Sequence, residues 1–335
     1  MTTYAILPRW QANRVYGAAS LQLAQAEVDF VVTHALAGTA HRTDVAEFGA
    51  VPYLLFHRDG PLTDIERRVL SNVSLLHALF EHRAGDTLVP LAVERRAVVD
   101  DDVVTIQRYT GKTNEQFTHL LVNLALAAAA DGFARLLDDK PLRVLDPVCG
   151  RGTTLNHAVL YGMDALGVEA DRRDVEAYEQ FILTWLKDKR MKHMTKKSKF
   201  RRGETAGAHT LHIAYRATKE GAERVIEVVR DDTGNTAAHV AKKSVDVIVA
   251  DLPYGVQHGG RADDVLEAGL PAWTQVLRTG GAMALAWNRK TTDRARMTTL
   301  LHDHGLRVCE TEDAFLHRVD RTITRDVIVA TTQPS

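Results

Sequence analysis

The stretch that decides the fold reads Val144-Leu-Asp-Pro-Val-Cys-Gly-Arg-Gly-Thr-Thr-Leu155. A short apolar run ends in an acid, Asp146, and a Gly-x-Gly turn then opens a helix, which lets the backbone approach a ligand closely. In open α/β sheets, ligands bind at this place, beyond the carboxyl ends of the strands. The turn is not a dinucleotide fingerprint, because Leu155 stands where the third glycine belongs, and it lacks the Gly-Lys-Ser/Thr of a phosphate-binding loop. The acid before the turn would repel a pyrophosphate and favours a cationic ligand.

Strand and helix patterns alternate around this stretch. Apolar runs typical of strands lie at residues 143–145, 165–169, 224–229, 245–250 and 282–287, and patterns typical of helices lie at 154–161, 174–187, 262–277 and 293–304. This alternation predicts a parallel sheet that is covered by helices on both faces. Two further β-type runs, at 306–310 and 326–331, have no long helix between them and predict a terminal hairpin with one antiparallel strand. We therefore expect an α/β, Rossmann-like sheet of seven strands.

The first hundred residues show a different arrangement. Strand patterns at 4–7 and 53–57 and helix patterns at 18–37 and 64–82 predict a small α+β domain. The last of these patterns has apolar residues with the spacing of one buried helical face, at Ile65, Val69, Leu70, Val73 and Leu76. We expect a substrate-recognition domain at residues 1–100 and a larger domain at 101–335, with a basic insertion near 187–215.

Acids also follow the next two predicted strands. Glu169 ends the second strand, where a carboxylate can accept both ribose hydroxyls of an adenosine. Asp171 is the second choice for this contact, and its alternative is to cap the next helix. After the third strand, Asp232 is placed to contact an adenine or to stand in a solvated turn. A cation-binding acid followed by an adenosine-binding acid predicts S-adenosylmethionine as the cofactor, with its methionine ammonium at Asp146.

A second motif, Val247-Ile-Val-Ala-Asp-Leu-Pro-Tyr-Gly255, breaks a buried strand with an acid, a proline and an aromatic residue. A planar amino nitrogen can accept a methyl group only when its lone pair is freed from conjugation and aimed at the methyl donor. Asp251 and the carbonyl group of Leu252 can each accept one N–H, and Tyr254 can stack on the ring, with a gain of about 1–3 kcal/mol. This segment, with Pro253 in its turn, predicts methyl transfer to an amino nitrogen, for which proximity supplies much of the rate.

The two motifs together resemble those of the class I amino-methyltransferases that carry an Asp/Asn-Pro-Pro-Tyr motif. Most similar among these are the tRNA guanosine N2-methyltransferases that usually carry a THUMP domain. The segment Tyr109-Thr-Gly-Lys-Thr-Asn-Glu-Gln-Phe117 is similar to the lead-in helix of that group, which helps to hold the methionine end of the cofactor. Within this segment, Thr113 and Gln116 have the spacing of a capping box at a helix start. The resemblance covers residues 109–332. The sequence departs from the pattern at Leu252, in the short N-terminal region and in the insertion.

The resemblance implies N-methylation of guanosine N2 in tRNA or another structured RNA. With the glycine turn and the acids, it gives the expected cofactor-binding residues: Thr113, Asp146, Cys149, Gly150, Gly152, Thr153, Glu169, Asp171 and Asp232. Two alternatives stay open, namely the same chemistry on a small amine, guanidine or peptide, and a non-catalytic module that binds the cofactor and acts through a partner. The intact Asp-Leu-Pro-Tyr segment argues against the non-catalytic module.

The insertion begins with a basic segment, Lys187–Arg202, which has nine Lys or Arg residues against one acid. Such runs are commonly solvated and flexible, and beside a base-binding site they can also contact phosphates. The residues expected to contact substrate are Lys196, Lys197, Arg201, Arg202 and His258. For His258, the alternative is a solvated loop histidine.

Composition narrows the remaining classes. The 335 residues are 45% hydrophobic and 25% charged, which indicates a globular chain long enough for two domains. A net charge of -1 argues against a surface coated for nucleic-acid binding and leaves room for a local basic patch. Cys149 and Cys309 cannot build a disulfide framework or a four-ligand metal site, and neither is placed to attack a pyrimidine ring.

Other sequence features bear on metals and on location. The histidines are scattered without ligand spacing, so we expect no metal. No apolar run reaches the ~20 residues of a membrane span. The first residues lack the basic and apolar regions of a signal peptide. We therefore expect a cytoplasmic protein with no membrane partner.

Overall fold

The computed structural model describes residues 1–9, 14–36, 40–85, 87–199, 209–253 and 262–332 of the chain. In the N-terminal part, the described strands form one antiparallel sheet in the order β2-β3-β1-β4-β5. The elements of this part are, in chain order, β1 Thr2–Pro8, α1 Arg14–Ala35, β2 His41–Phe48, β3 Val51–Arg58, α2 Asp64–Ser71, β4 Leu76–Arg83 and β5 Thr87–Leu91.

The helix predicted over residues 64–82 is correct only in its first half. It begins with a capping box of Thr63 and Glu66, and it ends at Asn72, whose side-chain amide donates to the Arg68 carbonyl at 2.8 Å. Residues of β4 then pair with β1 and β5. Ile65, expected on the buried face, is 50% exposed. The apolar spacing continues past Asn72, but strand pairing with distant residues overrides the local helical pattern.

The second part alternates helices and strands as predicted. Its elements are α3 Asp102–Thr105, α4 Glu115–Ala128, α5 Gly132–Leu137, β6 Arg143–Asp146, α6 Thr153–Tyr161, β7 Asp164–Glu169, α7 Arg172–Asp188, β8 His193–Lys199, β9 His209–Arg216, β10 Glu223–Arg230, α8 Thr236–His239, β11 Val245–Asp251, α9 Ala262–Val276, β12 Leu277–Asn288, α10 Arg294–Asp303, β13 Leu306–Val308, β14 His317–Arg318 and β15 Thr324–Thr332.

These strands form one sheet in the order β13-β15-β12-β11-β6-β7-β10-β9-β8, with β14 paired to β15. The central strands β12, β11, β6, β7 and β10 are parallel to one another. Strand β15 is antiparallel to its neighbours β12 and β13. The predicted α/β class and terminal antiparallel strand are therefore confirmed. The expected number of seven strands is too low, because the described residues contain ten in this sheet.

Two of the extra strands come from the basic insertion. Residues of β8 pair antiparallel with β9, and β9 pairs antiparallel with β10, so the insertion lengthens the sheet at its edge. Residues 193–199 of the basic run therefore form an edge strand rather than a flexible segment, and residues 194–198 are exposed. Lysines at an edge strand still suit their position, because charged side chains there discourage pairing with another chain.

The two parts of the chain share a continuous apolar core. Helix α1 packs against α4, and Phe30 of α1 meets Phe315 edge-on, with ring centroids 6.4 Å apart. A buried polar contact crosses the same boundary, because the Asn123 side-chain amide donates to Glu27 at 2.7 Å. Helix α4 therefore lies between helix α1 of the N-terminal part and the large sheet. No helix within the described ranges is long and apolar enough to cross a membrane.

Candidate active site

The glycine turn after β6 places a buried acid at its base. Asp146 is 4% exposed, and its Oδ1 accepts a hydrogen bond from the Val148 amide at 3.1 Å. Burial raises the pKa of Asp146 to about 7. The neighbouring carboxylates Glu169 and Asp251 add to this shift, and a hydrogen bond from Thr154 opposes it. Within the described part of the chain, no Lys or Arg pairs with Asp146. The site thus holds a carboxylate that a cationic ligand would stabilise.

Two glycines give the turn its shape for different reasons. Gly152 has φ +77°, and a Cβ there would lie 2.2 Å from the Tyr178 ring. Gly150 has φ +49°, and apart from its own residue and its two chain neighbours no described residue has an atom within 4 Å of the position that its Cβ would take. Gly152 therefore permits packing onto α7, whereas Gly150 leaves open space beside the turn.

Cys149 was expected to contact the cofactor, but its side chain turns into the sheet. A Cβ on Gly167 of β7 would lie 2.7 Å from the Cys149 sulfur. Burial raises the pKa of the Cys149 thiol well above its usual range. The thiol is thus an apolar packing group, and what Cys149 offers a ligand is its backbone.

Glu169 links the end of β7 to the glycine turn. One carboxylate oxygen accepts the Gly150 amide at 2.8 Å, and the other accepts the Asp171 amide at 2.7 Å. Ionised carboxylate oxygens have further lone pairs that can accept ribose hydroxyls. Asp171 caps α7 through the Arg173 amide at 2.7 Å, and Asp232 accepts the Gly234 amide at 2.8 Å in a short 3₁₀ turn. Capping, the alternative considered for Asp171, is thus observed, and Asp232 likewise stabilises its own turn.

The lead-in segment lies against the glycine turn. The Tyr109 hydroxyl and the Thr153 Oγ1 are 3.0 Å apart. The Arg151 guanidinium lies 4.9 Å from the centre of the Tyr109 ring, and its Nε donates to Asp174 at 2.8 Å. Thr153 is therefore engaged by the segment that was expected to support the cofactor.

Thr113 has a different partner from the one predicted. Asn114, not Thr113, caps α4, because its Oδ1 accepts the Gln116 amide at 2.8 Å and the Phe117 amide at 3.3 Å. The Thr113 hydroxyl instead donates to Asp251 Oδ2 at 2.5 Å. The capping box was thus wrong, and the residue predicted beside the cofactor lies on the acid of the second motif.

The second motif begins where β11 ends. The Leu252 amide donates to the Ala286 carbonyl at 2.8 Å, and its side chain is fully buried. Pro253 follows at the surface of the turn and is partly buried. Tyr254 and His258 lie outside the described residues. Among the described residues of this motif, Asp251 is the one with a polar side chain.

Sequence reasoning missed the residues that surround Asp251. Arg325 of β15 donates from Nη2 to Asp251 Oδ2 at 3.3 Å, and its guanidinium lies 4.5 Å from the centre of the Phe117 ring. His317 of β14 has its ring 5.2 Å from that of Phe117, and burial lowers its pKa to about 4. The sequence does contain one signal, because Arg325 is a charged residue immediately before the apolar run 326–331. A charge that is buried with such a strand is expected to have a partner of opposite charge.

The basic insertion divides its charges between two faces. Lys197 pairs with Leu211 in the strand register and forms an ion pair with Glu179 of α7. Lys196 pairs with His212, so it lies on the opposite face, and it is exposed. Lys189 is held by Asp100 and Asp102 at 2.7 and 2.6 Å. Arg201 and Arg202 lie outside the described residues.

Strands β8 and β9 form an antiparallel hairpin, and one end of this hairpin lies at the carboxyl ends of the parallel strands, where the site is. Arg230 lies in register with Glu169 on one side and with His209 on the other, and His209 pairs with Lys199. The carboxyl end of β8 therefore lies on the same side of the sheet as Glu169, the side where the parallel strands end. Helix α7 and strands β8, β9 and β10 also line an open cleft of about 450 Å³. Among its lining residues, Arg172 and Lys197 are paired with Glu176 and Glu179.

The sheet order, the glycine turn after β6 and the acid that ends β7 define a class I S-adenosylmethionine-dependent methyltransferase. Residues 116–313, more than half of the chain, match the family UPF0020, RMKL-like, methyltransferase domain. The chain belongs to this family. No curated protein sequence matches it.

Solved structures similar to this chain include three methyltransferases. TrmN from Thermus thermophilus has 13% identity and a TM-score of 0.45, and the match covers 99% of this chain and 100% of that one. A TehB-like enzyme from Corynebacterium glutamicum has 16% identity and a TM-score of 0.37, with 60% and 86% covered. An rRNA methylase from Streptococcus thermophilus has 13% identity and a TM-score of 0.34, with 67% and 99% covered.

S-adenosylmethionine is the cofactor of this methyltransferase family, and the site fits it. The buried Asp146, which no described Lys or Arg neutralises, suits the positive charges of the methionine end. The open side of Gly150 leaves room for close backbone approach. Glu169 is fixed by two backbone amides at the place where an adenosine ribose would lie.

Proposed function

We propose that the protein transfers a methyl group to an exocyclic amino nitrogen, and that its substrate is guanosine N2 in tRNA or another structured RNA. The observation that carries the proposal is the position of Asp251. Its carboxylate ends β11, one strand away from the cofactor turn after β6, and it is held by Thr113 and Arg325. An acceptor fixed beside a methyl donor is what an amino nitrogen requires.

The chemistry follows from where these groups lie. When bound, S-adenosylmethionine would supply a methyl group from a positively charged sulfur, which leaves as a neutral thioether when its bond to the methyl carbon breaks. Asp251 accepts one N–H of the substrate, and the Leu252 carbonyl accepts the other, so that the nitrogen lone pair is turned out of the ring plane. The nitrogen gains positive charge as its new bond forms, and the Asp251 carboxylate stabilises that charge. The N–H proton held by Asp251 is the one the nitrogen then gives up, and it passes to water.

Structured RNA is supported as the substrate by the insertion. Lys196 is exposed, and the strand that carries it ends at the edge of the sheet where Glu169 lies. We assign phosphate contacts to this segment, and base or backbone recognition to the N-terminal part at residues 1–100. Such a substrate also fits a cytoplasmic protein, the compartment that we propose.

Filter binding to total tRNA across a salt series tests the RNA substrate. Each phosphate contact contributes about -0.9 to the log–log slope on duplex and about -0.7 on single strands. Changing Lys196, Lys197, Arg201 and Arg202 to Ala should flatten the slope by roughly two to four. Cofactor affinity should stay unchanged. Because Glu179 already pairs with Lys197, the single change Lys196→Ala should flatten the slope more than Lys197→Ala.

The matched control is the double variant Lys242→Ala, Lys243→Ala. These two exposed lysines precede β11 and therefore lie at the opposite edge of the sheet from Asp251. Their loss should leave the salt slope unchanged. Identical flat curves for wild type and the quadruple variant would contradict an RNA substrate and favour a small amine, guanidine or peptide.

A further inference from the structure

We infer that Arg325 is a positioning residue, which fixes the Asp251 carboxylate in the orientation that accepts the substrate amino group. This inference rests on the proposed N-methylation. The two side chains are 7% and 17% exposed, and Arg325 Nη2 lies 3.3 Å from Asp251 Oδ2. This is a partly buried ion pair between strands β15 and β11, which are separated in the sheet by β12.

A carboxylate at a strand end needs such a partner to have one orientation. The terminal torsion of an aspartate is broad and roughly two-fold, so the backbone of β11 alone does not set the plane of the carboxylate. Thr113 and Arg325 both bond to Oδ2 and approach it from different elements. Two donors on one oxygen define the carboxylate plane, and with it the direction in which a substrate N–H is accepted.

Arg325 is itself held in place. Its guanidinium stacks over the Phe117 ring at 4.5 Å, and Phe117 is fully buried in α4. A planar guanidinium on an aromatic face resists rotation in a way that the ammonium of a lysine does not. The lead-in segment Tyr109–Phe117 therefore supports Asp251 twice, directly through Thr113 and indirectly through Phe117, on which Arg325 stacks.

Arg325 is also a cation paired with Asp251 at neutral pH. His317, which packs on Phe117 from the neighbouring strand, is uncharged there because burial lowers its pKa to about 4. Asp146 and Asp251 repel each other across β6 and β11. A cation at Asp251 reduces that repulsion while leaving Asp146 to the cofactor. The arrangement thus assigns one carboxylate to the protein's own arginine and the other to the ligand.

A double-mutant cycle tests the role. Methyl transfer from labelled S-adenosylmethionine to total tRNA is measured for wild type, Arg325→Gln, Asp251→Asn and the double variant, with cofactor affinity by calorimetry and the melting midpoint of each. Arg325→Gln should lower kcat by about 10²-fold, because misplacement of a reacting group by ~1 Å has that effect. KM and cofactor affinity should stay close to wild type. In the Asp251→Asn background the same change should add little, because the group that Arg325 positions is gone.

Three further variants make the result specific. Arg325→Lys keeps the charge and should recover part of kcat. Thr113→Val should lower kcat more than Thr113→Ser, which keeps the hydroxyl that bonds to Asp251. Arg318→Gln is the matched control, because Arg318 lies on the adjacent strand β14 and is exposed, with its Nε bonded to the Asp320 carbonyl. That variant should behave as wild type.

The possible failures are distinguishable. Full additivity of Arg325→Gln and Asp251→Asn would overturn the positioning role, and so would an unchanged kcat in Arg325→Gln. If Arg325→Gln does not fold, the pair Thr113→Val and Thr113→Ser decides, and equal kcat values for the two would overturn the role. Transfer to a metabolite extract and not to tRNA would contradict the RNA substrate alone, and the same cycle would then be measured on that extract.

Discussion

The turns after β6 and β11 both end a buried parallel strand with an aspartate, yet the two carboxylates have different surroundings. Asp146 is held by the Val148 amide and Thr154, and burial raises its pKa to about 7. Asp251 bonds to the Thr113 hydroxyl and to the Arg325 guanidinium. The difference indicates a division of roles. A carboxylate without a described cationic partner is ready for a cationic ligand, whereas one already paired and oriented is suited to be a fixed acceptor.

The largest expected effect is on the rate of methyl transfer and comes from changing Asp251. Asp251→Asn should lower kcat by about 10²–10³-fold, similar to the loss of one preorganised transition-state contact. Cofactor affinity should change little, since Asp251 is not part of the glycine turn. Single-turnover transfer to tRNA, with calorimetry for the cofactor, measures both quantities. An unaffected kcat in a folded variant would make Asp251 structural and remove the main support for amino methylation.

The next largest effect is on cofactor affinity and comes from changing Asp146 or Glu169. Asp146→Ala and Glu169→Ala should each weaken S-adenosylmethionine binding by at least about tenfold, because losing a charge-assisted hydrogen bond costs about 1.5–3 kcal/mol. At saturating cofactor, kcat of these variants should fall far less than that of Asp251→Asn. Calorimetry on correctly folded protein decides, with Asp171→Ala as the control, because Asp171 is already engaged in capping α7. Unchanged affinity in both variants would contradict the cofactor assignment.

The cofactor half of this comparison could be predicted from the sequence, and the other half could not. Asp146, the glycine turn and Glu169 stand out because each acid directly follows an apolar strand, which is a local pattern. The partners of Asp251 lie 138 residues away at Thr113 and 74 residues away at Arg325. No periodicity links residues at such separations, so only the folded sheet brings them together.

The same reasoning accounts for the other errors. Residues 76–82 continue a helical apolar spacing, and it is pairing with β1 and β5 that makes them a strand. Residues 193–199 are rich in lysine, which indicates a solvated run, but the exposed edge of β9 accepts them as β8. In both places, hydrogen bonding to a neighbouring strand of the sheet decides the local structure.

A smaller effect is the pH dependence of cofactor binding, which follows from the pKa of Asp146. Because the pKa of Asp146 in the free protein is about 7, the acid is largely protonated at pH 6 and largely ionised at pH 8. A cationic ligand binds the ionised form and must displace the proton at low pH. S-adenosylmethionine should therefore bind about tenfold more weakly at pH 6 than at pH 8. Glu27, whose pKa burial also raises to about 7, lies in the core shared by the two parts. Its titration should change the melting midpoint in wild type and variant alike.

Calorimetry at several pH values measures the dependence, and Asp146→Asn is its control. An asparagine cannot titrate, so the variant should bind weakly and with a flat profile in this range. Equal slopes for wild type and variant would assign the proton to another group. In that case the contrast between the two aspartates would not extend to their charge.

The smallest expected effect concerns Thr154, the side chain that stabilises the ionised form of Asp146. Thr154→Val keeps the shape of this buried residue and removes one hydrogen bond, which is stronger by about 1–1.5 kcal/mol when the acid is ionised than when it is protonated. Since 1.36 kcal/mol corresponds to one pH unit, the midpoint of the cofactor-binding profile should move upward by at most about one unit. Thr154→Ser keeps the hydroxyl and should leave the midpoint in place. The sign is the decisive point, because loss of a donor to the carboxylate favours its protonated form. A downward shift in Thr154→Val would mean that the hydroxyl stabilises the protonated acid, and Asp146 would then not be the anion awaiting a cationic ligand.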